Sequence, residues 1–150
     1  NNIRALMLED VPRARAMLGS LSANLRYALT ANQVAFVPLS VELEMVANFI
    51  ALSRIQLEER LDYRQSIAAG LEAVLVPPML LQLLVENALK HGISPLVDGG
   101  VLAVVIEQNA PFLQVAVTND YAPHLASTTQ DSTKIGLRNL RERLRLLYQD

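Results

Sequence analysis

Cysteine and tryptophan are both absent from this sequence of 150 residues, and aromatic residues make up only 5% of it. Without cysteine, the chain has no disulfide, no thiolate zinc site and no cysteine nucleophile. The longest segment free of charge, 27–41, has about 15 residues and contains Pro38. It is shorter than the roughly 20 apolar residues of a membrane-spanning helix. A Walker-type glycine loop is also missing, which disfavours a P-loop nucleotide site.

The overall charge is small and slightly negative. A formal net charge of −2 and a pI near 5.7 disfavour a globally basic nucleic-acid binder, although local basic patches stay possible. We therefore expect no nucleic-acid partner. An apolar content of 51% is enough for one buried core and excludes disorder over the whole chain.

The first third of the sequence has a helical pattern. Apolar residues recur at alternating steps of four and three: Met7, Val11, Ala14, Leu18, Leu21, Leu25 and Ala28. This period of about 3.5 residues is typical of a helix that packs against partner helices. Asp10 is a candidate N-cap, with Pro12 in the first turn. A turn is predicted over 32–38.

A second helix is predicted from about Val41 to Glu59. Ser40 precedes it as a candidate N-cap, and Glu42 and Glu44 lie in its favoured first turns. Two amphipathic helices joined by a short loop form a helical hairpin, and a second copy would complete a four-helix bundle. In the alternative, both helices pack onto the rest of this chain.

The pattern changes from Leu61 onward. We predict a strand over 61–69, a helix from after Pro78 to about His91 and a glycine-rich loop to residue 100. Two strands follow, 101–107 and 112–118, around a turn at 108–111. A loop over 121–134 precedes a last helix that begins at Gly136 and has an apolar face. The sequence thus predicts an α+β protein: an N-terminal helical hairpin (1–60), then a two-layer α/β sandwich with a mixed sheet (61–150).

The segment 80–92 holds the residues best suited to chemistry. On a helix, one apolar face comprises Leu81, Leu84, Val85 and Ala88. Asn87, Lys90 and His91 lie together on another side. An amide oxygen can bind Mg²⁺, and an ammonium or imidazole group can contact phosphate oxygens. Glu86 lies about 100° round the helix from Asn87 and could orient a water or act as a base.

These residues also have a plainer interpretation. A helix with a solvated polar edge shows the same spacing. His91 on its own is typical of a helix C-terminus, where the helix dipole favours it.

Three separated segments of the chain resemble one known family. The run from Pro77 to Gly92, with Glu86-Asn87 and Lys90-His91-Gly92, resembles the N box of bacterial sensor histidine kinases, and more narrowly of the LytS/YehU type. Residues 135–144 resemble the family's last glycine box and the helix after it. Residues 1–3, 21–27 and 38–44 resemble the segment that follows its phosphoacceptor histidine. The resemblance covers nearly the whole chain, in order and at compatible spacing.

The resemblance implies an ATP-binding domain of the Bergerat type, shared with gyrase and heat-shock chaperones, over 61–150. Asn87 would hold Mg²⁺ between the phosphates of ATP, and Lys90 and His91 would contact those phosphates. The segment 120–135 would form a lid over the nucleotide. Thr133, Lys134, Gly136 and Leu137 would contact it at the glycine box, where backbone N–H groups at a helix start favour phosphate.

The sequence departs from the family pattern at two places. Val117-Thr118-Asn119-Asp120-Tyr121 stands where the family has Asp-x-Gly, whose Asp accepts a hydrogen bond from adenine. Asn119 aligns best with that Asp, and Asp120 is the alternative one residue later. Ser132-Thr133-Lys134 replaces a common Gly-Thr-Gly. Lys134 either adds charge near phosphate or indicates weak nucleotide affinity.

The resemblance also implies partners and a location. We expect the phosphoacceptor histidine upstream of residue 1, because neither His91 nor His124 lies in the hairpin. This chain would then be the catalytic core of a sensor histidine kinase, unable to phosphorylate itself alone, with Glu86 and Asn87 as catalytic residues and ATP and Mg as cofactors. It would dimerise through the N-terminal helices and act on a LytTR-type response regulator. It would be a cytoplasmic domain whose membrane parts lie elsewhere. The alternatives are a degenerate site in a dimerisation and docking module, and a related ATPase.

Overall fold

The computed structural model describes residues 10–122 and 130–148, with the backbone alone for 32 and 130–135. Helix α1 spans Val11–Thr30, and its predicted cap is confirmed: the Asp10 carboxylate accepts a hydrogen bond from the Arg13 N–H at 3.0 Å. A 3₁₀ turn, Ala31–Gln33, and strand β1, Val37–Pro38, lead to helix α2, Leu39–Leu57. Helices α1 and α2 form the predicted hairpin.

The prediction that Ser40 caps α2 is wrong. The helix begins at Leu39, with Pro38 in the cap position and no side-chain cap. Its first N–H groups find backbone acceptors instead: Leu39 donates to the Val74 oxygen at 2.8 Å and Ser40 to the Glu72 oxygen at 2.9 Å. β1 pairs antiparallel with strand β3, Leu75–Val76, in a two-stranded ribbon. The acceptors lie in the segment just before β3, which this pairing holds beside the start of α2, so a capping side chain is unnecessary.

A three-stranded mixed sheet forms the other layer. After a 3₁₀ turn, Glu58–Arg60, strand β2 covers Leu61–Ile67. It pairs parallel with β4, Gly100–Asn109, which pairs antiparallel with β5, Phe112–Asn119. The three predicted strands are confirmed, although the second and third pair over more residues than expected because the turn between them tightens to two residues, 110–111.

The core lies between one face of the sheet and the helices. Alternate β4 side chains, Leu102, Val104 and Ile106, are buried against the helices, as expected for a sheet with one covered face. Helix α3, Leu80–Asn87, contributes Leu81 and Val85, which are both fully buried. Leu39, Val46, Ile50 and Leu57 of α2 belong to the same apolar cluster. Helix α2 therefore packs directly on the α/β layer.

Helix α4, Gln130–Tyr148, packs on this core through Leu140 and Leu144. The predicted start at Gly136 is wrong, since the helix begins six residues earlier. No glycine or proline interrupts the chain over 130–135, so nothing local ends the helix there. The last five residues of the predicted loop, 130–134, are therefore helical, and 123–129 lie outside the described residues.

Helix α1 buries only part of its predicted apolar stripe. Ala14 is 2% exposed, but Val11, Leu18 and Leu25 are 50%, 43% and 58% exposed, and Leu29 is 77% exposed. Met7 lies outside the described residues. Within this chain α1 packs instead through Ala14, Met17 and Asn24. The alternative that both helices pack onto the rest of the chain therefore describes α2 better than α1.

The chain has the predicted α+β architecture, a helical segment followed by helices layered on a mixed sheet. Over the parts of the chain that the structure describes, no helix is both long and apolar enough to cross a bilayer. The boundary at residue 60 stays a prediction.

Candidate nucleotide-binding site

A cleft of about 420 Å³ opens between the end of α3, the end of β5 and α4. Its volume falls within the roughly 300–1,000 Å³ of ligand and cofactor sites. The residues around it come from separate parts of the sequence: Leu84, Asn87, Ala88, His91, Gly92, Val117, Asn119, Tyr121 and Leu137. Four of them, Asn87, His91, Asn119 and Leu137, are candidate site residues from the sequence.

The backbone changes its winding where the cleft begins. Residues Ala88–Ile93 continue α3 as a π-helical segment, which ends with the Ser94 N–H donating to the Leu89 oxygen at 2.8 Å. A π-turn contains more residues than an α-turn. Asn87 and His91, four residues apart, therefore stay on one face, while Lys90 is rotated away from it. In the structure Lys90 is exposed and does not line the cleft.

At the end of β5 the structure distinguishes Asn119 from Asp120. The Asp120 carboxylate accepts a hydrogen bond from the Val101 N–H at 2.8 Å, so it secures the sheet edge. Asn119 lines the cleft, and its amide nitrogen donates to the Asp120 backbone oxygen at 2.8 Å. Among the residues whose side chains the structure describes, none donates a hydrogen bond to the Asn119 side-chain oxygen. That oxygen remains able to accept one from a ligand.

Gly92 allows β5 to come close to the π-helical segment. A Cβ atom at this position would lie 2.0 Å from Nδ2 of Asn119 and 2.9 Å from the backbone oxygen of Asp120. Only a residue without a side chain fits this approach. Gly92 therefore determines how near the Asn119 amide lies to Asn87 and His91.

Glu86 lies in a different place from Asn87. It is exposed and lines a second groove, of about 400 Å³, between α1, α2 and α3. Two buried side-chain oxygens at this groove, from Asn24 and Gln82, have no hydrogen-bond partner in the described part of the chain. The structure thus separates Glu86 and Asn87, as their adjacent positions on a helix predicted.

A buried carboxylate holds the first turn of α3. Glu42 of α2 is fully buried and accepts hydrogen bonds from the backbone N–H groups of Met79 and Leu81, both at 2.7 Å. Tyr27 of α1 donates its hydroxyl proton to the same carboxylate. The N–H groups at the start of a helix have no partner within the helix, so Glu42 satisfies two donors that would otherwise be buried unpaired.

From the sequence, Glu42 is predicted only to be a favourable charge in the first turn of its own helix. A signal was available, because Glu42 lies three residues after Leu39 and four before Val46, on the buried face of α2. A carboxylate on an apolar face needs a donor from elsewhere. Burial, and then the hydrogen bond to Glu42, raise the pKa of the Tyr27 hydroxyl well above its ordinary value of 10.0.

Helix α4 reaches the same turn from the other side. The guanidinium of Arg143 donates to the Pro78 backbone oxygen at 3.0 Å. Met79 occupies the left-handed region, with φ of +67°, which is uncommon for a residue with a side chain. The turn before α3 is therefore held by side chains from three helices.

Part of the predicted site lies outside the described residues. This applies to the side chains of Thr133 and Lys134, and to 123–129 of the predicted lid. Gly136 lies inside α4 rather than at its start, and Leu137 borders the cleft. No group of three or more His, Cys, Asp or Glu residues suited to a metal occurs in the described part of the chain.

Comparison with known proteins finds relatives over the whole length of the chain. A family model described as Histidine kinase matches residues 1–61. The chain is 37% identical over 91 residues to "Sensor protein LytS" of Bacillus cereus, a match that covers 61% of this chain and 15% of that protein. It is 30% identical to "Sensor protein LytS" of Staphylococcus haemolyticus, over 99% of this chain and 27% of that protein. "Sensor histidine kinase BtsS" of Escherichia coli is 27% identical, over 100% and 26% respectively.

The chain belongs to the histidine kinase family. Its similarity to several LytS proteins, continuous over nearly its whole length, identifies the type within that family as LytS. The chain spans about a quarter or less of the length of these relatives.

Proposed function

We propose that this chain is the catalytic core of a two-component sensor histidine kinase, which binds ATP with Mg²⁺ and transfers the γ-phosphoryl group to a histidine upstream of residue 1. The observation that carries the proposal is the cleft, which brings Asn87, His91 and Asn119 together from two separate elements. Its volume and mixed apolar and amide lining suit a nucleotide.

Each residue has a role suited to its chemistry. Asn87 presents a neutral amide oxygen, a suitable ligand for Mg²⁺ beside phosphates. His91 would donate a hydrogen bond to a phosphate oxygen, and Lys90, which is exposed and outside the cleft lining, would contact the phosphates from the solvent side. The free side-chain oxygen of Asn119 accepts a hydrogen bond from the adenine amino group, while Leu84 and Val117 provide an apolar wall for the base.

The remaining predicted contacts belong to the same proposal. Thr133, Lys134, Gly136 and Leu137 would contact the nucleotide from the α4 side. Glu86 would act on the incoming histidine from the groove beside the hairpin, since it faces α1 and α2. Bound ATP supplies the phosphoryl group, and positioning together with charge neutralisation accounts for most of the catalysis in such transfers.

The partners follow from the family. Homodimerisation uses the exposed stripe of α1, defined here as Val11, Leu18, Leu25 and Leu29, because these side chains lack apolar cover from the residues that the structure describes. A response regulator, of the LytTR type by resemblance, receives the phosphoryl group. The chain would be a cytoplasmic domain (1–60 for dimerisation, 61–150 for catalysis) of a protein whose membrane part lies elsewhere in its sequence.

The test is titration of the chain with a fluorescent ATP analogue and Mg²⁺. Micromolar binding is expected, and Asn87→Ala should weaken it at least about ten-fold, with a greater loss in Mg²⁺ than in EDTA. The matched control is Asn109→Ala at the far end of β4, where the Asn109 amide donates a hydrogen bond to the Gln114 side-chain oxygen at 2.7 Å. Equal binding by wild type and Asn87→Ala would contradict the assignment of Asn87.

One observation favours a second function. Tyr121, at the cleft, stands where the family has glycine, and it is 63% exposed. A bulky side chain there restricts the entrance. Absence of binding up to millimolar ATP would therefore support a dimerisation and docking module with a degenerate nucleotide site. A stable ATPase activity that leaves no phosphoprotein, once the upstream histidine is present, would support a related ATPase instead.

A further inference from the structure

We propose that Glu42, held by Tyr27, is a positioning residue that transmits the orientation of the helical hairpin to the helix carrying Asn87 and His91. This inference rests on the proposed nucleotide site and adds to it a route by which the hairpin controls that site. It rests on the hydrogen bonds that join Tyr27 of α1, Glu42 of α2 and the first turn of α3.

The first step is the connection between α2 and α3. One carboxylate oxygen of Glu42 accepts a hydrogen bond from the Met79 N–H and the other accepts one from the Leu81 N–H, each at 2.7 Å. Two hydrogen bonds to two oxygens of one planar group fix both the distance and the direction of the first turn of α3. Hydrogen bonds to an ionised group are the strong kind, and burial shields them from water.

The second step connects α1. The Tyr27 hydroxyl donates to Glu42, and the Met79 N–H also approaches that hydroxyl oxygen at 3.3 Å. Tyr27, Glu42 and Met79 therefore form one network, whose members lie on α1, on α2 and before α3. A rotation of α1 against α2 moves the hydroxyl and with it the carboxylate that orients α3.

The third step is transmission along α3. Leu81 and Asn87 are six residues apart, which corresponds to about 9 Å of rigid helix. The side chains of Leu81 and Val85 are fully buried, so α3 moves as a body rather than bending between these points. A displacement at Leu81 consequently reaches Asn87 and the π-helical segment that holds His91.

The turn before α3 has an uncommon backbone conformation that depends on its contacts. Met79 has φ of +67°, a conformation that persists only when surrounding contacts determine it. Those contacts come from Glu42 and, at the adjacent residue, from Arg143 of α4 through the Pro78 oxygen. Hairpin and terminal helix thus act on the same turn, so their positions are coupled there.

The test compares Glu42→Gln with Glu44→Gln in the whole 150-residue chain. Glu44 lies on the same helix and is exposed, so its substitution is a matched control. A glutamine at 42 keeps the shape but puts an NH₂ group against one of the two N–H donors. Backbone amide exchange, measured residue by residue, should accelerate selectively over 80–93 in Glu42→Gln while amides of β4 and β5 keep their wild-type rates. Tyr27→Phe, which leaves both backbone contacts in place, should have a smaller effect in the same region.

Binding of the fluorescent ATP analogue is the second measurement. Glu42→Gln should weaken it about ten-fold, a usual size for coupling between two sites, and Glu44→Gln should not change it. Acceleration of exchange spread evenly over the sheet would show a merely structural role and overturn the proposal, as would unchanged exchange over 80–93. If the wild-type chain binds no nucleotide, the proposed function fails, but the exchange pattern still decides whether Glu42 links the hairpin to α3.

Discussion

Substitution of Gly92 by alanine tests the close approach that forms the candidate site. The added Cβ would lie 2.0 Å from Nδ2 and 2.7 Å from Cγ of Asn119, and 2.9 Å from the Asp120 backbone oxygen. The Asn119 side chain can rotate away, but the Asp120 oxygen moves only with the end of β5. Because that end is tied to β4 by the Val101–Asp120 hydrogen bonds, relief of the contact must disturb the sheet edge.

The expected loss of stability combines two opposing effects. Overpacking of a well-packed contact costs about 1–3 kcal/mol. Replacement of glycine by alanine inside a helix returns about 0.5–1 kcal/mol. The net loss is therefore about 1–2 kcal/mol, which corresponds to a melting temperature about 3–6 °C lower for a chain of this size.

Thermal and urea unfolding measure this loss, and titration with the fluorescent ATP analogue measures the effect on the site. Binding should weaken, because Asn119 leaves its place at the cleft. Gly19→Ala in α1 is the control, since a Cβ there meets nothing within 4 Å and the variant should be about as stable as wild type or more so. A Gly92→Ala protein that gains stability in the same way and binds the analogue normally would refute the close approach.

Two further predictions concern the hairpin. The pKa of Tyr27 is raised in the folded state above its unfolded value of 10.0, so its contribution to stability is complete below pH 10 and is lost as the pH rises further. Urea unfolding should therefore show a steeper fall in unfolding free energy above pH 10 for wild type than for Tyr27→Phe. Because Tyr27 is only half-buried, solvent screening keeps the difference below about 1.4 kcal/mol per pH unit, and parallel curves would contradict the hydrogen bond between Tyr27 and Glu42. Leu25→Glu should raise the dimer dissociation constant more than about ten-fold in sedimentation equilibrium, since it puts a charge into an apolar contact, whereas Leu146→Glu, at a residue of α4 that is 84% exposed, should not. Equal dissociation constants for the two variants would exclude the exposed stripe of α1 as the dimer contact.

The elements that the sequence predicts well are those with a strong local pattern. The period of α1, the helix after Pro78 and the three sheet strands all follow from the spacing of apolar residues. Ser40 shows the limit of local signals, because its capping preference is overridden by the backbone oxygens of Glu72 and Val74, just before β3. The start of α4 shows the same limit. The polar segment 130–135 contains no glycine or proline, and it belongs to the helix although its start is predicted at Gly136.

The sequence predicts several residues of the candidate site but not how they are arranged. Asn87, His91 and Asn119 were singled out from the sequence, and they border one cleft, although their roles stay predictions. The π winding that turns Lys90 outward has no local signal in the sequence, and both of its end residues, Ala88 and Ile93, are buried in the core. The contact between Glu42 and the turn before α3 joins residues 37 and 39 positions apart, which periodicity does not detect.

The small β1–β3 ribbon has a consequence for how chains of this architecture can vary in length. It starts α2 immediately after Pro38 and α3 four residues after Val76, with the two strands held in register as Val37 opposite Val76. Added or deleted residues at the tip of the hairpin, before the ribbon, are absorbed without moving the origin of either helix. The same change between the ribbon and α3 shifts Asn87 and the other cleft residues of this helix round its axis by about 100°. Length variation among homologous chains should accordingly concentrate in the connection between α1 and β1.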